Sequence, residues 1–400
     1  MTSVHTALPQ APEQPGLQSR HKQADIFFPA LNALRFLAAA TVLFYHVDLY
    51  KFRCNIPNFH SAMMTRIGLG GVYLFFVLSS FLLTYLLLEE RKRTNRVKVK
   101  NFYLRRALRI WPLYVAIVSI AFFLVPPASS ILFHPAEQKT VMEWHQFLLP
   151  ILGLYACMLP NLANQVYPRV SCASQCWSLG VEEQFYLFWP WFVSLLGKRP
   201  WLMCSVFLAV LCAVPLVLSA LIQLPALAAN AQFEALQSFV SRTCTQMQMM
   251  FFGALASVYF HESKLGEKQN HPLFATPARL TLFAIAVACL VCNPPFANSI
   301  LGGTFALLVL SVSRCSGGFA TSRPLVYLGT ISYGIYMFHP LVLNCLMGLS
   351  THMRYWLFNT ILYATALPIT ILVSMLSYHY FEKPWLKLKT KFVVVASGKI

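Results

Sequence analysis

Apolar runs of about 20 residues recur along this chain, and they constrain the fold more than any other feature. The sequence is 57% hydrophobic and 11% charged, with a mean hydropathy of +0.58. Backbone amides within lipid must be satisfied inside the protein, and these runs lack the alternation of strands, so helices are favoured over a barrel. The sequence therefore predicts an all-α fold, a polytopic membrane bundle of about ten transmembrane helices. The predicted spans are 27–49, 68–89, 102–126, 176–196, 201–221, 243–261, 278–294, 297–313, 324–347 and 355–381.

The distribution of basic residues predicts the orientation, because Lys and Arg collect in cytoplasmic loops. Segment 144–161 is apolar but contains two prolines, so it is either an eleventh span or a re-entrant or interfacial helix. If it crossed, Lys198 and Arg199 would move to the outer side. Keeping it outside places most of the 31 Lys and Arg residues inside. We therefore predict ten spans with both termini cytoplasmic.

Three regions follow from this organisation. Residues 1–25 are polar and lack the apolar core and cleavage site of a signal peptide, which predicts a disordered cytoplasmic tail. Residues 26–390 are predicted to form one integral membrane domain, and residues 391–400 a cytoplasmic tail. The net charge of +18 is divided among short loops. This pattern suits anionic membrane lipids and argues against nucleic acid as a partner.

The eleven cysteines do not predict a metal site. Cys289 and Cys292 form a CxxC pair within an apolar helix, where thiols are usually packing residues. Cys172 and Cys176 lie in a predicted outer loop and are candidates for a disulfide in an oxidising compartment.

The first span, "LNALRFLAAATVLFYHV", carries Arg35 and His46. Eleven residues bring both side chains within roughly 20° of the same helix face, about 16 Å apart along the axis. Ionisable residues in a span usually face the bundle interior or a wet cavity. The alternative is a snorkelling arginine with an interfacial histidine.

The third span opens with "NFYLRRALRIWPLY", which contains Arg105, Arg106 and Arg109. Arg106 and Arg109 share a helix face, and guanidinium forks suit phosphate oxygens, so a cytoplasmic phosphate-bearing ligand is one interpretation. A positive-inside anchor is the other.

The segment "CWSLGVEEQFYLFWPW" places Glu182 and Glu183 about two turns inside a span, where a carboxylate has no cheap structural role. Consecutive residues point about 100° apart, so one glutamate is predicted to face the site. Tyr186 lies on the same side.

In "YLGTISYGIYMFHPLV", Ser332, Tyr336 and His339 form a polar stripe on one helix face. This stripe predicts contact with protein or a cavity, either to bind a substrate or to hydrogen-bond another helix. In the last span Glu382 lies beside Lys383, which predicts a surface ion pair.

Six segments, in chain order, resemble the acyltransferase-3 family of polytopic membrane O-acyltransferases. They are "LNALRFLAAATVLFYHV", "GVYLFFVLSSFLLTYLL", "RRALRIWPLY", "WSLGVEEQFYLFWP", "LGTISYGIYMFHP" and "YFEKPW". In the second segment Tyr73 replaces the family's acid and Ser80 its second glycine.

The resemblance implies transfer of a short acyl group, typically acetyl, from acyl-CoA to a hydroxyl of a carbohydrate or lipid-linked glycan. Acyl-CoA would be a co-substrate, with no permanently bound cofactor, and the location a bacterial cytoplasmic membrane. His46 matches the family's essential histidine and Arg35 its paired arginine. Arg106 and Arg109 match the arginines associated with the donor. Glu182 and Glu183 match the acidic pair in the family's fourth conserved segment.

These residues suggest a mechanism. His46 is hypothesised to be the general base, with Glu182 or Glu183 orienting it or the acceptor. Arg35 would hold donor phosphates or stabilise an oxyanion. The pantetheine arm would thread between helices toward His46, and a covalent acyl-enzyme relay is the competing scheme.

Two other functions remain alternatives at this stage. Intramembrane charge also marks transport pathways, so a transporter is one. A non-catalytic subunit of a polysaccharide-assembly machine is the other, favoured by the Tyr73 and Ser80 departures.

Overall fold

A computed structural model describes residues 27–195, 200–221, 223, 231–263, 265, 271–315, 317–393 and 395. Across these ranges the regular elements are all helical and no strand occurs, so the predicted all-α class is confirmed. The predicted tail 1–25, together with residues 394 and 396–400 of the other tail, lies outside the described residues.

The α-helices follow one another along the chain, several of them broken at prolines or short turns. In order they are α1 (Pro29–Arg53), α2 (Ala62–Thr94), α3 (Val99–Ser119), α4 (Val125–Leu132), α5 (Pro135–His145), α6 (Leu148–Ala156), α7 (Pro160–Val166), α8 (Trp177–Leu195), α9 (Pro200–Leu221), α10 (Ala231–Glu262), α11 (Thr276–Cys292), α12 (Ala297–Ser313), α13 (Arg323–Thr330), α14 (Ser332–Gly348), α15 (Tyr355–Leu376) and α16 (Lys383–Lys389). A π-helical turn joins α3 to α4 and another joins α15 to α16.

Local chemistry sets several helix ends. Pro29 begins α1, where its fixed φ suits the first helical turn and its missing N–H is not needed. The Ser61 Oγ caps α2 by accepting a hydrogen bond from the Met64 amide at 3.3 Å. Asn95 ends α2 in the left-handed region, with φ of 55°.

Five of these helical stretches are long and apolar enough to cross a membrane, and the number rises to six if α13 and α14 form one bent span. The described residues of the predicted spans are almost all helical, although 102–126 and 324–347 are each divided between two α-helices. The chain is a multi-pass membrane protein. α11 and α12 have 17 residues each and are shorter apolar helices. The count of ten crossings stays a prediction.

Segment 144–161 does not form a single long helix. It contains the end of α5, the nine-residue α6 and the start of α7. Nine residues extend about 14 Å, which is less than half of a hydrocarbon core. The segment is therefore too broken to cross the membrane as one helix.

Helix α2 lies at the centre of the bundle, packed against α1 and α10. Small residues permit this approach: a Cβ on Gly253 of α10 would stand 2.3 Å from the Val77 carbonyl oxygen of α2. Ser80 is buried at the same contact, and its hydroxyl bonds the Phe76 carbonyl of its own helix at 2.9 Å. The hydroxyl that replaces the family's glycine is thus satisfied locally.

A bend of 65° separates α13 from α14 and brings α13 onto α1. At this crossing Gly329 lies so near the Asn32 carbonyl that an added Cβ would stand 2.0 Å from the oxygen. The glycine thus fixes how closely the Arg35 end of α1 approaches α13.

Candidate active site

Two adjacent cavities lie beside the Arg35 end of α1. The large cavity has a volume of about 560 Å³, and its polar lining includes Asn32, Arg35, Arg109, Arg323, Tyr333 and Lys389. The narrow cavity has a volume of about 90 Å³ and extends between α2, α3, α8 and α14. Both cavities are lined by Arg35, Leu82, Arg109 and Tyr333, so these side chains stand where the two spaces adjoin.

Four cations converge where the cavities meet. Arg35, Arg106 and Arg109 come from α1 and α3, and all three lie close enough to Lys389 of α16 to repel its charge. Within the described part of the chain, none of the four has a carboxylate within 4.0 Å. Cations gathered away from water need compensation, and guanidinium groups bind phosphate oxygens well. The cluster is therefore a candidate site for a phosphate-bearing ligand.

Arg105 lies beside this cluster and also repels Lys389, but unlike the four cations it is paired with a carboxylate. Its guanidinium donates to Glu90 Oε2 at 3.0 Å and to the Phe392 carbonyl at 2.9 Å. One position along a helix turns a side chain by about 100°, which directs Arg105 away from Arg106. Both terminal nitrogens of its guanidinium are thus used in contacts that join α3 to α2 and to the C-terminal turn.

Glu182 lies with the cations, and Glu183 faces elsewhere. The Tyr186 hydroxyl donates to Glu182 Oε2 at 2.8 Å and lies 2.5 Å from the Ser79 Oγ. Because its proton is used by Glu182, Tyr186 accepts from Ser79. The Arg106 guanidinium carbon lies over the Tyr186 ring, 5.4 Å from the ring centroid. Glu183 does not line either cavity, in keeping with the 100° between neighbours.

The polar stripe of α14 is divided between hydrogen bonding and the cavity wall. Ser332 and Tyr336 line the narrow cavity. The Ser332 hydroxyl donates to the Gly329 carbonyl at 2.8 Å, whereas the Tyr336 hydroxyl donates to the Gln175 carbonyl at 3.1 Å. His339 is buried one turn beyond, with its ring centroid 5.7 Å from that of Tyr336.

His46 lies past this wall, facing protein. Its Nδ1 is 2.8 Å from the Val42 carbonyl oxygen, and a carbonyl only accepts, so Nδ1 carries the proton. Nε2 is therefore left with a lone pair. The ring lies 4.8 Å from that of His339, centroid to centroid. His46 itself is only partly buried.

The hypothesis that Glu182 or Glu183 orients His46 is wrong for this structure. Neither glutamate is among the contacts of His46 in the described residues. Glu182 interacts electrostatically with Arg35, and Arg35 and His46 stand about 16 Å apart along α1. The Val42 carbonyl fixes the imidazole instead.

Two smaller expectations are also corrected. Glu382 does not pair with Lys383; its Oε1 accepts a hydrogen bond from Ser377 at 3.1 Å. Cys172 and Cys176 are both free and buried, and the Cys172 sulfur accepts from the Asn344 amide at 3.3 Å.

Tyr73 replaces the family's acid within the hydrophobic core of α2. The position is therefore filled by an aromatic packing residue, which needs no cation beside it.

Lys389 and Tyr333 are site residues that the sequence analysis missed. Lys389 belongs to a basic segment after the last span, typical of a cytoplasmic anchor. Tyr333 follows Ser332 on α14, and its hydroxyl donates to the Ile110 carbonyl at 2.9 Å. Only the return of α16 onto α3 shows that Lys389 belongs to the cation cluster.

Comparison with known proteins gives the same family as the motifs. The sequence model of the acyltransferase-3 family, described as an acyltransferase domain, matches residues 28–379 of this chain. The chain is 28% identical to the putative peptidoglycan O-acetyltransferase YrhL of Bacillus subtilis, over 91% of this chain and 56% of the relative. It is 24% identical to the peptidoglycan O-acetyltransferase OatA of Listeria monocytogenes, over 90% and 56%.

A putative O-acetyltransferase of Staphylococcus aureus (strain COL) is 25% identical, over 90% of this chain and 58% of the relative. The chain thus spans a little over half the length of these curated relatives. No solved structure matches it. Since the family model covers most of the chain, and the six segments occur in the family's order, the chain belongs to the acyltransferase-3 family.

Proposed function

We propose that this chain is a membrane O-acyltransferase that moves a short acyl group, acetyl first, from acyl-CoA to a glycan hydroxyl. The observation that carries the proposal is the cluster of Arg35, Arg106, Arg109 and Lys389 at the junction of two cavities. A compact group of cations with no carboxylate within 4.0 Å among the described residues suits a ligand with several phosphates. Coenzyme A is such a ligand, and it carries an activated acyl group.

The cavity dimensions support a division of the donor between two spaces. A volume of about 560 Å³ lies within the range of small-molecule sites, and suits the nucleotide end. The narrow cavity of about 90 Å³ suits only a slender chain, such as the pantetheine arm. Its wall includes Tyr336, which lies next to His339 and therefore close to His46. The thioester would thus approach His46 from the Arg35 side.

His46 is the proposed general base. With Nδ1–H held by Val42, the Nε2 lone pair is free to take the proton of an attacking hydroxyl. Arg35 is about 16 Å away along the helix, so we assign it to the donor phosphates and not to the oxyanion. Glu182 offsets part of the cation charge and holds Tyr186 in the cavity wall.

The acceptor is proposed from the relatives, which are named as peptidoglycan O-acetyltransferases. We propose a peptidoglycan hydroxyl at the outer face of a bacterial cytoplasmic membrane. Ten spans with both termini inside would place the cation cluster on the cytoplasmic side, where acyl-CoA is present. Orientation can be read from cysteines introduced at residues 96 and 165 and labelled in intact cells.

The function is tested with the protein in lipid nanodiscs, given acetyl-CoA and peptidoglycan oligosaccharides. We expect free thiol and base-labile acetate on the glycan to appear together. The double variant Arg106→Gln, Arg109→Gln should have an apparent KM for acetyl-CoA at least about 10-fold higher, because charge-assisted hydrogen bonds to phosphate are lost. The control Arg96→Gln removes an exposed charge outside both cavities and should leave the KM unchanged.

His46→Gln should abolish transfer while the protein still accumulates in the membrane. Transfer at the normal rate by this variant would contradict the base assignment. Flux of an acetylated compound across vesicles without thiol release would favour a transporter. Labelled acetyl that stays on the protein without acceptor would favour the covalent relay.

A further inference from the structure

The imidazoles of His46 and His339 form a pair that joins α1 to α14. Their centroids are 4.8 Å apart and their planes are inclined by 58°. Two imidazoles joined by an N–H···N hydrogen bond of about 3 Å have centroids about 5 Å apart, since each ring nitrogen lies about 1.1 Å from its centroid. The two rings are thus close enough for such a bond, although His339 Nε2 makes no hydrogen bond within the described part of this structure.

The sequence around His339 fixes the protonation of its ring. Pro340 has no N–H, so the Tyr336 carbonyl four residues earlier lacks its helical donor. The His339 ring lies beside this carbonyl and that of Ile335. Since carbonyls only accept, they favour a proton on the ring nitrogen that faces them. His339 Nε2, the other ring nitrogen, is buried without a hydrogen-bond partner.

Each histidine thus holds one N–H on its own helix and keeps a lone pair on Nε2. A buried acceptor without a donor raises the free energy of the folded protein. A proton donor in the space between the two rings would give His339 Nε2 its missing hydrogen bond. Uptake of a proton by Nε2 of His46 would supply that donor.

The other groups around the pair provide no carboxylate acceptor for His46. The titratable and charged groups that act on the two rings are Tyr45, Tyr50, Arg53 and Tyr336, whereas His60 and Glu137 lie beside Tyr45 and Tyr50. The single acid in this set, Glu137, is bonded to Arg169 at 2.9 Å. Among the described residues the rings in contact with His46 are those of Tyr45, Tyr50 and His339, and only His339 brings a ring nitrogen that can accept a proton.

We propose that His339 is a positioning residue that shares the proton His46 removes from the acceptor hydroxyl. This inference rests on the proposed function, in which His46 is the base. The hydroxyl oxygen bonds to the acyl carbon, the carbon–sulfur bond breaks, and the hydroxyl proton moves to His46 Nε2. There it forms a hydrogen bond to His339 Nε2 until it passes to the leaving thiolate. Both rings then return to their starting state, and the products are the ester and the free thiol.

The test compares His339→Leu, which has no acceptor, with His339→Gln, which keeps one in its amide oxygen. We expect His339→Leu to lower kcat about 10- to 100-fold, with the KM for acetyl-CoA unchanged. The acid limb of kcat/KM should move about one pH unit lower, because the protonated base loses its hydrogen bond. His339→Gln should restore part of both. Met337→Leu, a volume-conserving change at a buried position on the same helix, should match the wild type.

Two results would overturn the pairing. One is a wild-type kcat and pH profile for His339→Leu. The other is an equal loss in both His339 variants with the acid limb unmoved, which would indicate packing alone. His46→Gln separates the two proposals in the same assay. If His46→Gln transfers acetyl at the normal rate, the assignment of His46 as the base fails and the pairing fails with it; if His46→Gln is inactive and His339→Leu is normal, only the pairing fails.

Discussion

Replacing Lys389 with glutamine should weaken donor binding and, without donor, stabilise the protein. Lys389 lines the large cavity, and the charges of Arg35, Arg106 and Arg109 all repel it. Its ammonium at about 4 Å from a phosphate charge would contribute up to about 4 kcal/mol at an effective dielectric of about 20. Losses on removing one partner of a charged hydrogen bond are about 1.5–3 kcal/mol. The apparent KM for acetyl-CoA should therefore rise about 10- to 100-fold.

The assay combines thiol release with thermal unfolding in nanodiscs. Lys389→Gln should unfold at a higher temperature than the wild type without ligand, because one repelling cation is gone. It should gain less from added coenzyme A, because stabilisation by a ligand falls as its Kd rises. Lys387→Gln is the matched control, since Lys387 is exposed on the same short helix and does not line the cavities.

An unchanged KM together with undiminished stabilisation by coenzyme A would refute the reasoning. It would show that the cation cluster is not where the phosphates bind.

Two further changes test the electrostatics and the packing. Glu182→Gln removes the carboxylate that accepts from Tyr186 and offsets part of the cation charge. We therefore expect a KM for acetyl-CoA a few-fold lower and a lower melting temperature, measured in the same assays. A higher KM would contradict the charge-offsetting role of Glu182. Gly329→Ala would place a Cβ 2.0 Å from the Asn32 carbonyl oxygen, so folded protein recovered after size-exclusion chromatography should fall sharply. Gly153→Ala meets no atom within 4 Å and should be recovered normally; equal recovery of both would refute the packing argument.

The sequence was a good guide to which residues are helical. Hydrophobicity and its spacing are local properties, and the described residues of the predicted spans are almost all helical. Arg35 and His46 were placed on one face of α1 by periodicity alone. The angle between consecutive residues was likewise sufficient to separate Glu182 from Glu183.

Relations between helices were harder to predict, as Glu182 and Lys389 show. The motif order suggested a glutamate beside His46, but α8 presents Glu182 at the depth of Arg35. Lys389 resembled a surface anchor until α16 was seen to return onto α3. Depth and rotation of a helix depend on residues far away in the sequence, so no local pattern reports them.

By itself, the sequence determined a helical membrane bundle with an arginine and a histidine along one face of its first helix. It could do so because apolar length and helical period are written in consecutive residues. Only the tertiary structure decided that four cations meet at one cavity and that His339, not a glutamate, stands beside His46. Those outcomes depend on close approaches such as that of Gly329 to Asn32, which set how each helix is turned and how deep it lies.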